Sequence, residues 1–408
     1  MSSTSFDEPA PGERQFDVVL YGATGFVGRL TARHLRAGGR VRVALAGRDR
    51  DELEVVRDDL GVDWPVVAAD LRDRPSVAAL ARSTRALAST VGPHSLPLVL
   101  ACADAGASYA DLSGEVPFVR RSIAEAHDLA HATGARIVHA CGVNAVPSDL
   151  TTLLLAMQVL ADEQGHLTDT SLVVESFRGG FSRGNLDSNQ DQHAALSADP
   201  ALRAAVADPW VLAAKPAVTT ARDADPTGAF RDDLTGRWLA PGLGGAFNSR
   251  LVRRSAALAD TPYGPDFHYR EAMGVSASPS ARAEAYAMAR GLSLVQRTLT
   301  SPLARPVMQR LLSPGPGPSA RTRKNGRFRV STHTRTSTGA RYLAQMGFAG
   351  DPGYSATSVM LVESVLSLAL DPLSSPGGVL TPAVAMGHWL VDRLIEHQFA
   401  VAVGPFEE

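Results

Sequence analysis

Lysine is nearly absent from this 408-residue chain: Lys215 and Lys324 stand against a background of arginine. That scarcity removes one reaction class. Short-chain reductases use a Tyr-x-x-x-Lys pair in which the lysine lowers the tyrosine pKa, and here Val211 and Ala320 occupy the positions four before the two lysines. Cysteine is equally scarce. Cys102 and Cys141 make neither a disulfide framework nor a cysteine zinc site. The chain has no G-x-S-x-G elbow and no H-E-x-x-H, and its eleven histidines are scattered, so no metal site is expected. A surplus of one charge is missing too. With 40 basic residues against 42 acidic ones, nothing points to a nucleic acid partner. Residues 1–15, MSSTSFDEPAPGERQ, lack the basic start and apolar core of a secretory signal and read as a disordered polar tail. No uninterrupted apolar run reaches the length of a membrane-spanning helix. A soluble cytoplasmic protein is expected. The long apolar helices near the C-terminus leave a homodimer interface, or a peripheral contact with a membrane, open.

What is present is alternation. β-rich runs at 16–21, 41–46, 64–69, 85–91, 108–112 and 136–140 are separated by helical stretches at 25–37, 51–60, 75–82, 96–105 and 116–132. Repeated β-α units with apolar strands imply a parallel sheet covered on both faces, and right-handed crossovers make it a doubly wound, Rossmann-type α/β domain over 16–145. The pattern then changes. A strongly apolar helix is expected over 150–160 and a strand over 172–177. An antiparallel pair is expected at 326–335 and 341–348 around the turn TSTG. A buried helix follows over 354–370 and an amphipathic one over 383–400. Between about 190 and 320, with Pro/Gly/Ser clusters such as SPGPGPS at 313–319, no pattern is legible.

The first strand runs straight into Gly22-Ala-Thr24-Gly25-Phe26-Val27-Gly28 and then a helix. That context is what a dinucleotide fingerprint requires. The first glycine permits the tight turn, the second lets the backbone approach a pyrophosphate, and the third lets helix and strand pack closely. Arg29 and Leu30 follow where a P-loop would carry Lys-Ser/Thr. The second strand ends in Ala46-Gly47-Arg48 rather than in a carboxylate, and a guanidinium there suits the 2′-phosphate of NADP or NADPH. Asp70, ending the third strand, is assigned to the adenine amino group, with a helix cap as the plainer reading. Gly92 and Pro93, ending the fourth, belong beside the nicotinamide ribose. Cys141 and Gly142, ending the sixth, are placed at the cofactor's edge, although Cys141 reads equally as a small core residue. His94, Tyr109 and Asn144 are the candidate donors for chemistry. Asp111 and Glu115 hold the substrate or ribose or else cap the next helix. Glu363, the lone charge in the apolar helix, needs a partner, for which an arginine is expected. With the other chemistries excluded, hydride transfer from a bound cofactor is what remains.

Several stretches taken together resemble a known family. They are YGATGFVG at 21–28, AGR at 46–48, TVGPHSLPLVLACADAGASYADLSGE at 90–115, IVHACGVNAVPSDL at 137–150, GDPGYSATSVMLVES at 350–364 and GGVLTPAVAMG at 377–387. The family is the saccharopine dehydrogenase-like oxidoreductases, nearest the trans-acting enoyl reductase branch. The resemblance implies a discontinuous Rossmann domain, 16–145 rejoined by C-terminal helices over 354–402. A mixed α/β (α+β) unit over 146–353 is inserted for substrate binding or dimerisation. It also implies NADPH-dependent reduction of the enoyl C=C of a polyketide or lipid acyl chain, small or carrier-bound, in trans to a partner synthase. The chain departs from the family pattern at His94, where the family commonly has tyrosine, at Asn144-Ala145, where it has an acid and a hydroxyl, and across 179–185. Imine reduction of the saccharopine dehydrogenase type and a non-catalytic NADP-binding sensor or scaffold are the alternatives.

Arg48 carries a prediction. One charge-assisted contact to a 2′-phosphate is worth about 1.5–3 kcal/mol, or about ten- to a hundredfold in affinity. Wild-type protein is expected to bind NADPH in preference to NADH, and Arg48→Asp to erase or reverse that preference. Equal wild-type affinities for the two nucleotides, measured by titration, would refute this reading.

Overall fold

The computed structural model describes residues 14–38, 41–179, 196–213, 220–242, 244–259, 263–300 and 326–406. Residues 1–13 of the expected tail, the SPGPGPS cluster and all but the first residue of 179–185 lie outside them, while Arg14, at the end of that stretch, donates to the Arg82 carbonyl at 2.6 Å rather than trailing free. Two seven-stranded sheets organise the chain. The first contains β1 (Phe16–Tyr21), β2 (Val43–Gly47), β3 (Val66–Ala68), β4 (Thr84–Ser89), β5 (Ser108–Asp111), β6 (Arg136–Val138) and β13 (Gly378–Leu380). Its order is β13-β6-β5-β4-β1-β2-β3, every pairing parallel. The strand order reverses between β1 and β4, and in such sheets ligands bind outside the strands' carboxyl ends at that point.

Alternation along β1 explains why both faces must be covered. Val18 and Leu20 pack into one hydrophobic cluster, Val19 and Tyr21 into another. Helices α1 (Phe26–Ala37) and α2 (Arg50–Leu60) cover the first face, joined there by α10 (Thr357–Leu370). Helices α3 (Arg74–Ser83), α4 (Leu96–Ala105) and α5 (Val116–Thr133) cover the second. Pro352–Leu370 as a whole, a turn of π-helix followed by α10, is long and apolar enough to cross a membrane, but 72% of the tested window is buried inside the protein.

The second sheet has the order β14-β12-β11-β7-β10-β9-β8. It comprises β7 (Leu167–Arg178), β8 (Phe230–Arg231), β9 (Trp238–Pro241), β10 (His268–Gly274), β11 (Arg327–Thr336), β12 (Arg341–Phe348) and β14 (Ala400–Pro405). Only β7 and β10 pair in parallel. The hairpin β11–β12 turns at 337–340, as its sequence predicts. Helix α6 (Val146–Ala161) starts four residues earlier than expected, with Pro147 in its first turn, and packs on β11, β12 and β14. Its Leu150 and Leu155 share one continuous core with Val18 and Leu20 of the first sheet and with Phe328 and Met346 of the second.

One expectation about the C-terminal elements fails. The single helix expected over 383–400 is broken into α11 (Pro382–Met386) and α12 (His388–Glu396), followed by β14. Gly387 breaks it with φ +52° and ψ −128°, a conformation that L side chains rarely adopt. The return over 354–402 is therefore not all helical: it also adds β13 to the first sheet and ends in a strand of the second. The stretch 190–320 contains real elements, α7 (Pro200–Ala207), α8 (Gly245–Leu258) and α9 (Ala281–Thr300) among them. Helix α8 eluded the periodicity because its buried face is polar. Arg253 and Arg254 are each only 1% exposed. Arg253 donates to the Asp223 and Tyr269 carbonyls at 3.0 and 2.9 Å. Arg254 donates to the Leu212 and Val379 carbonyls at 2.5 Å, and burial lowers its pKa to about 10.

Asp149 fastens this junction. Its buried carboxylate on α6 accepts from Ser255 Oγ on α8 and, at 2.8 Å, from the Ala383 N–H that opens α11. Burial is the largest influence on its pKa and raises it to about 6; the hydrogen bonds from Ser255, Ala383 and Thr381 act the other way. The unfolded chain ionises such a group near about 3.9, so stability falls as pH climbs from about 4 to 6, by about 3 kcal/mol in all. In urea denaturation at several pH values, Asp149→Asn should lose that fall relative to wild type. Parallel wild-type and variant profiles would contradict it.

Candidate functional site

The site grows from the end of β1. Tyr21 is buried and its hydroxyl donates to the Ala69 carbonyl at 2.9 Å, tying β1 to the end of β3. Gly22 turns the chain at φ +90°; a Cβ there would lie 2.7 Å from Val91 Cγ1 and 2.8 Å from Thr90 Oγ1. Thr90 Oγ1 donates to the Gly22 carbonyl at 3.0 Å, so the turn is stitched to the end of β4. At Gly28 a Cβ would fall on the Gly22 carbonyl oxygen and 2.8 Å from Ala23 Cα, and only glycine lets α1 come this close. Gly25 differs from both. A Cβ there meets nothing nearer than the Gly22 oxygen at 3.6 Å, and its φ of −69° and ψ of 163° suit any residue. Gly25 is the N-cap of α1, where no side chain caps the helix and no acid lies in the first turn. Among the described residues nothing else lies within 4 Å of a Cβ placed at Gly25, and the first turn of α1 opens there. That arrangement fits a pyrophosphate. Thr24 and Val27 are half-buried in the same turn, and Phe26 packs edge-on against Tyr354, ring centroids 4.9 Å apart.

The remaining predicted residues divide by exposure. Arg48 is exposed just beyond β2. Asp70 is already engaged: Arg72 holds its carboxylate through Nε at 3.1 Å and NH2 at 2.7 Å, and its own turn adds the Arg72 N–H at 2.9 Å. These hydrogen bonds bring its pKa to about 2. This turn-closing role is close to the plainer capping reading of Asp70. Gly92 and Pro93 open a 3-10 turn beyond β4, with Gly92 at φ +67°, and His94 in that turn is exposed. Asn144 is exposed beyond β6.

Tyr109 is not at the edge. It is 0% exposed, and its hydroxyl donates to Asp111 Oδ2 at 3.0 Å. Asp111 also accepts from the Ser113 N–H and Oγ, both at 3.0 Å, and lies 3.1 Å from His139 Nδ1, whose Nε2 is 2.8 Å from Ser122 Oγ. Burial pushes the Tyr109 pKa well up. The catalytic reading of Tyr109 is replaced by a structural one, because its proton is committed inside the core. Nor do Asp111 and Glu115 cap α5: Asp111 belongs to this network, and Glu115, the N-cap residue, makes no side-chain cap bond. Cys141 is likewise buried, its N–H donating to the Asp111 carbonyl at 2.7 Å and its thiol pKa pushed up by burial. It supports the edge rather than lining it. Gly142 is buried beneath the same edge, where a Cβ would lie 3.0 Å from Leu112 Cδ2 and 3.2 Å from Thr357 Cγ2.

Sequence reasoning missed the second sheet's contribution. The start of α8 reaches over the carboxyl edge of the first sheet: Phe247 lies above Gly114, 3.7 Å from where a Cβ would be, and Asn248 Nδ2 donates to the Asn144 carbonyl at 2.6 Å. The same Nδ2 donates to Glu271 Oε2 at 2.8 Å, and Ser148 Oγ donates to that oxygen at 2.9 Å. Glu271 is buried, and desolvation raises its pKa despite these bonds. Glycines 242, 244 and 245 were the available signal. A Cβ at Gly242 would lie 3.0 Å from the Glu271 carbonyl, and one at Gly244 would lie 2.9 Å from Asn248 Nδ2.

Comparison with known proteins agrees with this geometry. Residues 18–138 match the saccharopine dehydrogenase NADP binding domain. A Mycobacterium tuberculosis protein provisionally named a trans-acting enoyl reductase is 46% identical over 407 residues, 93% of this chain and 96% of its own. The trans-acting enoyl reductases of Mycobacterium bovis and Mycobacterium ulcerans are each 42% identical, over 94% of this chain and 97% and 96% of theirs. The chain belongs to the saccharopine dehydrogenase-like family, in its trans-acting enoyl reductase branch. It is an NADP-dependent oxidoreductase. Among solved structures, apo saccharopine dehydrogenase (L-Glu forming) of Saccharomyces cerevisiae shares the fold with a TM-score of 0.54 at 12% identity, over 96% of this chain and 99% of that one.

The contrast between Gly25 and Gly28 makes a test. Gly25→Val should keep wild-type circular dichroism and melting temperature yet lose NADPH binding, because its side chain takes only the ligand's space. Gly28→Val should fail to fold stably. Retained NADPH affinity in a folded Gly25→Val protein would remove this loop from the site.

Proposed function

We propose that this chain is an NADPH-dependent enoyl reductase acting in trans on an acyl chain carried by a separate synthase. Full-length relatedness to trans-acting enoyl reductases carries the reading, and the open N-terminus of α1 supports it. Bound NADPH supplies the hydride. The protein's own work is to hold and polarise. The start of α1 would hold the pyrophosphate and Arg48 the 2′-phosphate. His94 and Asn144 are exposed in the loops beyond β4 and β6, where a donor to the acyl carbonyl oxygen would stabilise the charge that gathers as the double bond is reduced. Glu271, Asn248 and Ser148 fix the Asn144 backbone from beneath, and Phe247 overhangs the edge. Reduction adds a hydride to the carbon β to the carbonyl and a proton to the α carbon, which His94 or water delivers.

NADPH oxidation in the presence of enoyl thioesters of several chain lengths, with cyclic imines alongside, tests the reading. Turnover of thioesters supports it. Turnover of imines alone would make the chain an imine reductase, and intact NADPH binding without any turnover would make it a sensor or scaffold. His94→Ala and Asn144→Ala should each lower kcat about ten- to a thousandfold under saturating NADPH, since alignment supplies much of the acceleration. Tyr109→Phe should leave kcat unchanged and cost about 1 kcal/mol of stability instead.

A further inference from the structure

Helix α1 has two ends. Its first turn opens on the dinucleotide loop, and its last turn carries His34. There His34 meets Glu363 of α10 and His397, the residue that closes α12. Glu363 Oε1 is 3.1 Å from His34 Nε2 and 2.9 Å from His397 Nε2. The three atoms all lie within 4.8 Å of one another, and no other group of three such side chains converges this way among the described residues. We propose that His34, Glu363 and His397 bind one divalent transition-metal ion of the zinc type. The ion would clamp the end of α1 to the C-terminal helices, far from the nucleotide loop and independently of cofactor or substrate.

Four features of the cluster support this. The first is ligand spacing. Around a tetrahedral ion with bonds of about 2.0–2.1 Å, ligand atoms sit about 3.4 Å apart. Two of the three separations are within about half an ångström of that. The imidazole rings lie edge to face with centroids 4.7 Å apart at 67°. The second is charge. Glu363 is 3% exposed, and its other oxygen accepts from Arg393 NH1 at 3.3 Å. Arg393 is in turn held by Asp371 through Nε at 2.8 Å and NH2 at 2.6 Å. Two carboxylates against one guanidinium leave the cluster one negative charge in excess, and Arg393 orients the liganding carboxylate as outer partners of metal sites do. The third is the backbone. Both α1 and α12 end here, and the negative ends of their dipoles favour a cation. The fourth is access. The His34 and His397 side chains are 18% and 36% exposed, so an ion can enter from solvent and keep water as its fourth ligand. Ligation through Nε2 requires each imidazole in the tautomer that carries its proton on Nδ1.

The test uses tag-free, full-length protein dialysed against a chelator and then titrated with zinc chloride or cobalt chloride. One zinc per chain at micromolar or tighter affinity, a rise in melting temperature and a cobalt ligand-field absorption band are expected. His397→Ala, at a half-exposed position that does not hold the core, should weaken zinc binding at least tenfold, and His34→Ala should do the same. Absence of stoichiometric binding to the wild type would overturn the proposal and leave a purely hydrogen-bonded cluster. Unchanged affinity in both histidine variants would overturn it too, by assigning the zinc to other histidines.

Discussion

The contact between Gly28 and the Gly22 carbonyl governs how this molecule is assembled around its nucleotide loop. Helix α1 approaches the turn so closely that one added carbon has no place. The approach sets the direction of α1, and with it the exposure of its first N–H groups and the position of its last turn. At the near end it leaves Gly25 facing open space and brings Phe26 against Tyr354 from the C-terminal part of the chain. At the far end it delivers His34 to Glu363 and His397. One backbone contact thus sets both the cofactor loop and a cluster at the opposite end of the same helix.

A second constraint joins the two sheets. The polar groups at their junction are buried, so each must find a partner within the protein. Asp149 and Ser255 meet this demand by reaching hydroxyls and N–H groups on other elements, and Arg253 and Arg254 reach carbonyls with their terminal nitrogens while the Nε of each stays without a partner among the described residues. Arg254 spans from α8 to β13, and Asn248 spans from α8 to the loop that presents Asn144. Burying an arginine among carbonyls is costly unless the geometry is good. In return the carboxyl edge of the first sheet is held by elements packed on both sheets, and its shape follows from how the sheets meet.

Much of the first sheet was legible in the sequence. The run 16–21 has the same limits as β1, and 96–105 the same as α4, because apolar alternation and helical spacing are local signals. The roles read for Gly22, Gly25 and Gly28 correspond to three different surroundings: a crowded positive-φ turn, an open cap and a backbone contact. Other residues resisted such reading. Tyr109 and Asp111 sit at a strand end like any edge donors, but the side chain of His139 from the neighbouring β6 end turns them inward.

By itself, then, the sequence determined the β-α alternation of the first domain, the three-glycine turn and the cation at the end of β2. Each depends on residues within a few positions of one another. Tertiary structure alone decided that β13 completes the first sheet and β14 the second, and that α8 buries arginines. It also decided that Phe247 lies over Gly114, that Asn248 reaches the Asn144 carbonyl and that His34 meets Glu363 across 329 positions. The reason is physical. Local spacing fixes which face of an element is apolar, but a buried polar group takes whichever partner the packing of distant segments brings within hydrogen-bonding distance.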